Sequence, residues 1–114
     1  GTGIIALGIA PCAARIVGVD ISPQMIETAK AKARQASAGN VEFQVCDGYS
    51  LPFEDAAFDT VLIFNALHAV MEPARLLAEA RRLLKPAGYL VTATDCYAAP
   101  APLGTRLLLG LLRV

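Results

Sequence analysis

A net charge of either sign is missing from this chain: ten lysines and arginines are matched by ten aspartates and glutamates. Nothing therefore steers the whole molecule toward nucleic acid or an anionic membrane surface. Long apolar runs are missing too. No stretch reaches the ~20 residues that a membrane-spanning helix needs, and the most apolar segment, Leu103 to Val114, carries Arg106 and Arg113. Cysteine is scarce and scattered. Cys12, Cys46 and Cys96 are odd in number, far apart and without metal-ligand spacing. They suit free thiols in a reducing cytoplasm, not a disulfide framework or a metal centre. There is a single histidine, no initiating methionine, no visible signal peptide, and no strand ahead of the opening glycines.

Core-forming sequence is what remains. The 114 residues are 55% hydrophobic, with a mean hydropathy of +0.51, and amount to one domain or most of one. Gly1-Thr2-Gly3-Ile4-Ile5-Ala6 is a glycine-rich turn of the kind that follows a strand and feeds a helix. Glycine serves there because it tolerates positive φ and lets a ligand approach the backbone. Ile4 to Ala14 reads as a small-residue helix ended near Pro11. Arg15 to Asp20 reads as a strand apolar on both faces, as a buried parallel strand should be.

Ser22-Pro23 supplies an N-cap and a proline at the first helical position. Met25, Ile26, Ala29 and Ala33 form the apolar stripe of the helix that follows, and Gly39-Asn40 stops it. Val41 to Cys46 alternates like a strand near a sheet edge, and Phe58 to Phe64 reads as a buried strand. Glu72-Pro73 opens a helix with Leu76, Leu77, Ala80, Leu83 and Leu84 toward the core and Arg75, Glu79 and Arg82 toward water. Lys85-Pro86-Ala87-Gly88 ends it and turns into a strand from Tyr89 to Thr94. Residues 98–102 form a Pro/Ala linker. Leu107, Leu108, Leu111 and Leu112 then recur at helical spacing. A short amphipathic helix is expected over 103–114, covering the substrate side or packing on a partner, with attachment to a membrane surface as the alternative.

Strands that alternate with helices over short connections mean an α/β fold with a parallel sheet. Ligands of such sheets sit outside the carboxyl ends of the strands. Asp20, Asp47 and Asn65 all fall at strand carboxyl ends. Gly1, Gly3 and Ala6 satisfy a G-x-G-x-x-A pattern, and Asp20 follows Gly3 by 17 residues. A carboxylate placed there can accept both hydroxyls of a ribose, or it can share the capping of the next helix with Ser22. Asp47 is acceptor-only when ionised and can take the exocyclic N–H of an adenine. Gly48 keeps the backbone open, and Leu51 and Phe53 could wall the base. An Asx-type turn is the structural alternative for Asp47.

His68 can serve as a general base. Its apolar neighbours Ala66, Leu67, Ala69 and Val70 favour a packed histidine bonded to the backbone. Lys30, Lys32 and Arg34 sit near a helix C-terminus, where they complement the macrodipole on a solvated face.

At this point the motifs resemble a family. Gly1-Thr2-Gly3 with Val17-Gly18-Val19-Asp20-Ile21-Ser22-Pro23-Gln24-Met25 resembles the cofactor loop and second-strand motif of class I S-adenosylmethionine-dependent methyltransferases. Asp47-Gly48-Tyr49-Ser50-Leu51-Pro52-Phe53 with Phe58-Asp59 resembles the adenine-side motif of that family. Asn65-Ala66-Leu67-His68 and Leu84-Lys85-Pro86-Ala87-Gly88 match its later segments in order. The resemblance covers about residues 1–95 and is strongest to the small-molecule, ubiquinone/menaquinone-biosynthesis-like subgroup.

The resemblance implies a Rossmann-like, doubly wound, mainly parallel sheet. It is expected to be incomplete here, lacking the first central strand and the terminal antiparallel hairpin. Residues 1–97 would be a partial methyltransferase (cofactor-binding) domain, 98–102 the linker and 103–114 the C-terminal helix. S-adenosylmethionine would be the cofactor. Gly1 and Gly3 would contact its methionine part, and Asp20 would hold the ribose hydroxyls with Ile21 against the adenine. Asp47 would accept from the adenine amine beside Gly48, and Asn65 would lie near the methionyl group. His68 is the candidate catalytic base, and no metal is implied. Ala87 stands where the family usually has glycine.

The implied partner is a small-molecule methyl acceptor, not nucleic acid, in the cytoplasm. Exposed strand edges could also lead to self-association. An NAD-dependent oxidoreductase would share Gly1, Gly3, Ala6 and Asp20, but it gives no reason for Asp47-Gly48 with Leu51-Pro52-Phe53. A non-catalytic fragment is the third reading. Without a first strand, the 114-residue chain itself is expected to be inactive.

Overall fold

Pro11 limits the helix that follows the glycine turn. α1 (Ile4–Ile9) passes into a 3-10 turn at Ala10–Cys12. The side-chain amide of Asn40 donates to the carbonyls of Ala10 and Ala13, both at 2.8 Å, so helix-end acceptors that would otherwise be orphaned find a partner. The structure, a computed structural model, describes residues 1–96 and 106–113. The chain divides into two compact units, Gly1–Leu51 and Pro52–Val114. No helix among the described residues is long and apolar enough to cross a membrane.

In the first unit, β1 (Ile16–Asp20) pairs in parallel with β2 (Val41–Val45), from Ile16 opposite Val41 to Asp20 opposite Val45. α2 (Pro23–Gln35) connects them. The Ser22 hydroxyl accepts the Met25 N–H at 3.4 Å, as the Ser-Pro signal predicts. The core is Ala10, Ile26, Ala29, Val41 and Phe43, with Ala33 packed against it. Met25, expected in the apolar stripe, is instead exposed. It lies one position before Ile26, about 100° round the helix from the buried line.

In the second unit, β3 (Phe58–Phe64) pairs in parallel with β4 (Leu84–Cys96), and α3 (Pro73–Leu83) connects them. Ile63, Ala80, Leu84 and Leu90 form its core, with Leu76 and Leu77 against them. Arg82 anchors the approach to β3. Its guanidinium donates to Glu79, to Asp55 at 2.8 Å and to the Phe53 carbonyl at 2.8 Å. The Arg82 carbonyl in turn accepts the Ala56 N–H at 2.9 Å.

The Lys85–Gly88 segment bulges between two paired stretches, because the register jumps from Phe58–Leu84 to Thr60–Tyr89. Within it Ala87 has φ 61°, so the glycine-type conformation persists although the residue is alanine. Left-handed backbone costs a residue with a Cβ about 1–2 kcal/mol. Ala87→Gly should therefore stabilise the protein by about 1 kcal/mol, less what the freer unfolded chain takes back. Urea unfolding of the full-length protein should show a raised midpoint at unchanged slope; a lowered midpoint would contradict the strain.

The expected helix over 103–114 is corrected. Arg106–Arg113 is a strand, β5, antiparallel to β4 from Tyr89–Arg113 to Cys96–Arg106. A short apolar run does not distinguish helix from strand by periodicity, and Gly110 weakens a helix interior. The free edge of β4 offers a row of backbone partners, and Gly110 lies opposite Thr92 in that ladder. An antiparallel strand thus follows β4, where the family's closing antiparallel segment was expected to be missing altogether. The linker at 98–102 lies outside the described residues. The four parallel strands expected near 15–20, 41–46, 58–64 and 89–94 are present, paired as β1–β2 and β3–β4 in two sheets.

Candidate functional site

Parallel pairing brings the carboxyl ends of β1 and β2 side by side. The Cys46 N–H donates to the Asp20 carbonyl at 3.0 Å, so Asp20 and Asp47 project from neighbouring strand ends. Asp20 Oδ1 accepts the Ser22 N–H at 2.8 Å, while Oδ2 pairs with the terminal ammonium of Gly1. The glycine turn and the acid therefore meet, as their spacing predicts. Burial pushes the Asp20 carboxyl up. The hydrogen bond from the Gly1 ammonium, with those from the Ser22 and Ile21 amides, outweighs this and holds it below the usual carboxylate range. Asp20 is thus ionised at neutral pH. The capping alternative is thus present in part, since one oxygen orders the capping residue of α2, while the other faces the glycine turn.

Ile21, next in the chain, is 72% exposed, an apolar side chain left open beside a carboxylate. Asp47 Oδ1 accepts the Tyr49 N–H at 2.9 Å, and its carbonyl accepts the Ser50 N–H at 3.1 Å. The Asx-type turn is present, and it holds Gly48 at the tip of the strand end. Asp47 Oδ2 has no partner among the described residues. Gly3 has φ 81°, and a Cβ there would lie 2.9 Å from the Phe43 ring and 3.0 Å from the Ala29 methyl. Conformation and space both demand glycine at that position.

Gly1, Gly3, Asp20, Ile21, Asp47 and Gly48 all belong to the first unit. Asn65 and His68 belong to the second, in the segment after β3. Asn65 has φ 49°, a left-handed conformation that asparagine tolerates, and its N–H donates to the Ala93 carbonyl at 2.8 Å. His68 is exposed, which overturns the packed-histidine reading. It occupies a turn closed by the Ala69 N–H on the Ala66 carbonyl at 2.9 Å. Ala66 and Leu67 take the core contacts and leave the imidazole outside. Phe53, expected beside a base, packs edge-on against Phe58 with ring centres 5.3 Å apart.

Phe43 has a place at this site that its alternating strand pattern does not reveal. The available signal is Gly18, a glycine inside an apolar strand, which marks close approach by a neighbouring group.

Comparison with known proteins identifies the family of this chain. A family model described as a methyltransferase domain matches residues 1–92. The ubiquinone/menaquinone biosynthesis C-methyltransferase UbiE of Citrifermentans bemidjiense is 37% identical over 95 residues, covering 80% of this chain and 40% of that protein. The demethylmenaquinone methyltransferase of Clavibacter sepedonicus is 38% identical over 106 residues, covering 93% of this chain and 42% of that one. Among solved structures, the YcgJ protein of Bacillus subtilis superposes with a TM-score of 0.81 at 32% identity, over 83% of this chain and 41% of that protein. The chain spans about two-fifths of the length of these relatives. The match runs through Asp47-Gly48 and Leu51-Pro52-Phe53, the segment for which the NAD-dependent alternative gives no reason. The chain belongs to the class I S-adenosylmethionine-dependent methyltransferases, within the group related to the ubiquinone/menaquinone-biosynthesis enzymes.

Proposed function

We propose that the full-length protein transfers a methyl group from S-adenosylmethionine to a small-molecule acceptor, with the first unit holding the cofactor. The observation that carries this reading is the parallel pairing that sets Asp20 and Asp47 at neighbouring strand ends, with the left-handed Gly3 turn resting on Phe43 of the same sheet. The residues present fit the group. An ionised, acceptor-only Asp20 suits a ribose diol, and exposed Ile21 suits the flat face of an adenine. Asp47 keeps Oδ2 for the adenine amine while Oδ1 is fixed on Tyr49.

When bound, the cofactor supplies a methyl on a sulfonium that is already an activated leaving group. The chain then has mainly to position the reactants and exclude water, which accounts for so few acid–base side chains. Asn65 would lie toward the methionyl group. The exposed His68 imidazole would take a proton from an acceptor that must lose one. Relatives named for C-methylation in ubiquinone and menaquinone biosynthesis make demethylmenaquinone the first acceptor to test. The free thiols of Cys12 and Cys46 support a reducing, cytoplasmic setting.

The full-length protein, given S-adenosylmethionine and demethylmenaquinone, should form S-adenosylhomocysteine in proportion to acceptor methylated. Turnover of the acceptor with NAD and none with S-adenosylmethionine would reverse the assignment.

A further inference from the structure

The ring of Phe43, 8% exposed, lies between two glycines of different elements. Phe43 is directly opposite Gly18 in the β1–β2 ladder. A Cβ on Gly18 would meet ring atoms Cδ1 and Cε1 at 2.5 and 2.6 Å, and a Cβ on Gly3 would meet Cζ at 2.9 Å. One edge of the ring thus covers bare backbone of β1 two residues before Asp20. Its far tip reaches the left-handed turn that opens α1, where the same Cβ on Gly3 would also meet the Ala29 methyl of α2 at 3.0 Å. Each glycine leaves the space that the ring fills.

We propose that Phe43 is a positioning residue for the cofactor turn. Its ring sets the distance between the β1 backbone that carries Asp20 and the Gly1–Gly3 turn that faces it. The assignment rests on the cofactor reading above, but its mechanical part does not. A buried aromatic ring is rigid and its surroundings are close-packed, so the spacing it imposes passes to whatever rests on it. A smaller side chain leaves a void into which the turn relaxes.

The test uses the full-length protein with Phe43→Leu, Gly18→Ala, the double variant, and Val41→Ala as a control. Val41 shares the strand and core of Phe43 but is not among the atoms facing either glycine. Two readouts are taken: amide exchange at Leu7, whose N–H is bonded to the Gly3 carbonyl at 2.9 Å, and the dissociation constant for S-adenosylmethionine. Phe43→Leu should speed Leu7 exchange and weaken the cofactor about tenfold, a small misplacement being costly where orientation matters. Val41→Ala should lower stability yet leave both readouts unchanged. Gly18→Ala should drive the ring toward Gly3 and weaken binding, and Phe43→Leu in the same chain should restore part of the loss.

Equal effects of Phe43→Leu and Val41→Ala would reduce Phe43 to an ordinary core residue. Leu7 exchange unchanged in Phe43→Leu would overturn the positioning role whether or not the cofactor binds. Failure of the unsubstituted protein to bind S-adenosylmethionine, with Leu7 exchange still sensitive to Phe43, would overturn the cofactor reading alone.

Discussion

Asp20→Ala in the full-length protein is expected to weaken S-adenosylmethionine binding by about a hundredfold or more. Two ribose hydroxyls would share one charged acceptor, and a hydrogen bond to a charged group is worth ~1.5–3 kcal/mol. Asp47→Ala should cost less, because one amine contact is at stake there. Asp20 also holds the Ser22 N–H at 2.8 Å, so the alanine variant loosens the cap of α2 as well. Asp20→Asn separates the two roles: its side-chain carbonyl can still accept from Ser22, while the negative charge is gone. Calorimetric titration of the three variants should rank the affinities Asp47→Ala, then Asp20→Asn, then Asp20→Ala as weakest. An unchanged dissociation constant in Asp20→Ala would make the ribose assignment wrong.

The pH dependence has a definite sign. In the 114-residue chain the Asp20 carboxyl is held below its ordinary range, chiefly by the Gly1 ammonium, so what its charge contributes there is complete above that range. It is lost only as pH falls through the lowered value.

Gly3→Ala should be among the most destabilising single-methyl changes in the first unit. Its φ of 81° costs a side-chain-bearing residue ~1–2 kcal/mol. The new Cβ would also press on Phe43 at 2.9 Å and on Ala29 at 3.0 Å, and overpacking of this kind costs ~1–3 kcal/mol. The Ala29 Cα lies only 3.3 Å away, so the backbone of α2 would have to give as well as a side chain. Gly1→Ala is the matched comparison, because nothing lies within 4 Å of a Cβ there. Urea unfolding should show a fall of ~2–5 kcal/mol for Gly3→Ala and little change for Gly1→Ala. Equal stability of the two variants would contradict the packing described for the turn.

Much of the site was legible because its chemistry is local. Ser22-Pro23 announces a helix start through side-chain and backbone rules that span a few residues, and the structure shows Ser22 capping α2. Strand-end acids follow from the order of apolar segments, so the positions of Asp20 and Asp47 could be read without knowing how the strands pair. What depends on distant partners was not legible. Arg106–Arg113 carries helical leucine spacing, but an open edge on β4 decides its conformation. The role of Phe43 requires knowing that Gly18 lies opposite it and that Gly3 reaches its ring. His68 misled because apolar neighbours in sequence suggested burial. The turn closed by Ala66 and Ala69 sets Ala66 and Leu67 against the core and leaves His68 exposed.

The central claim is that the carboxyl end of β1 and β2 holds S-adenosylmethionine. Equilibrium titration of the full-length protein with S-adenosylmethionine and with NAD, each monitored by amide exchange, tests it most directly. Saturable one-to-one binding of S-adenosylmethionine, with protection concentrated at residues 3–7, 20–22 and 46–50 and none induced by NAD, is the predicted result. Binding of NAD alone, or protection by S-adenosylmethionine that bypasses these three segments, would contradict it.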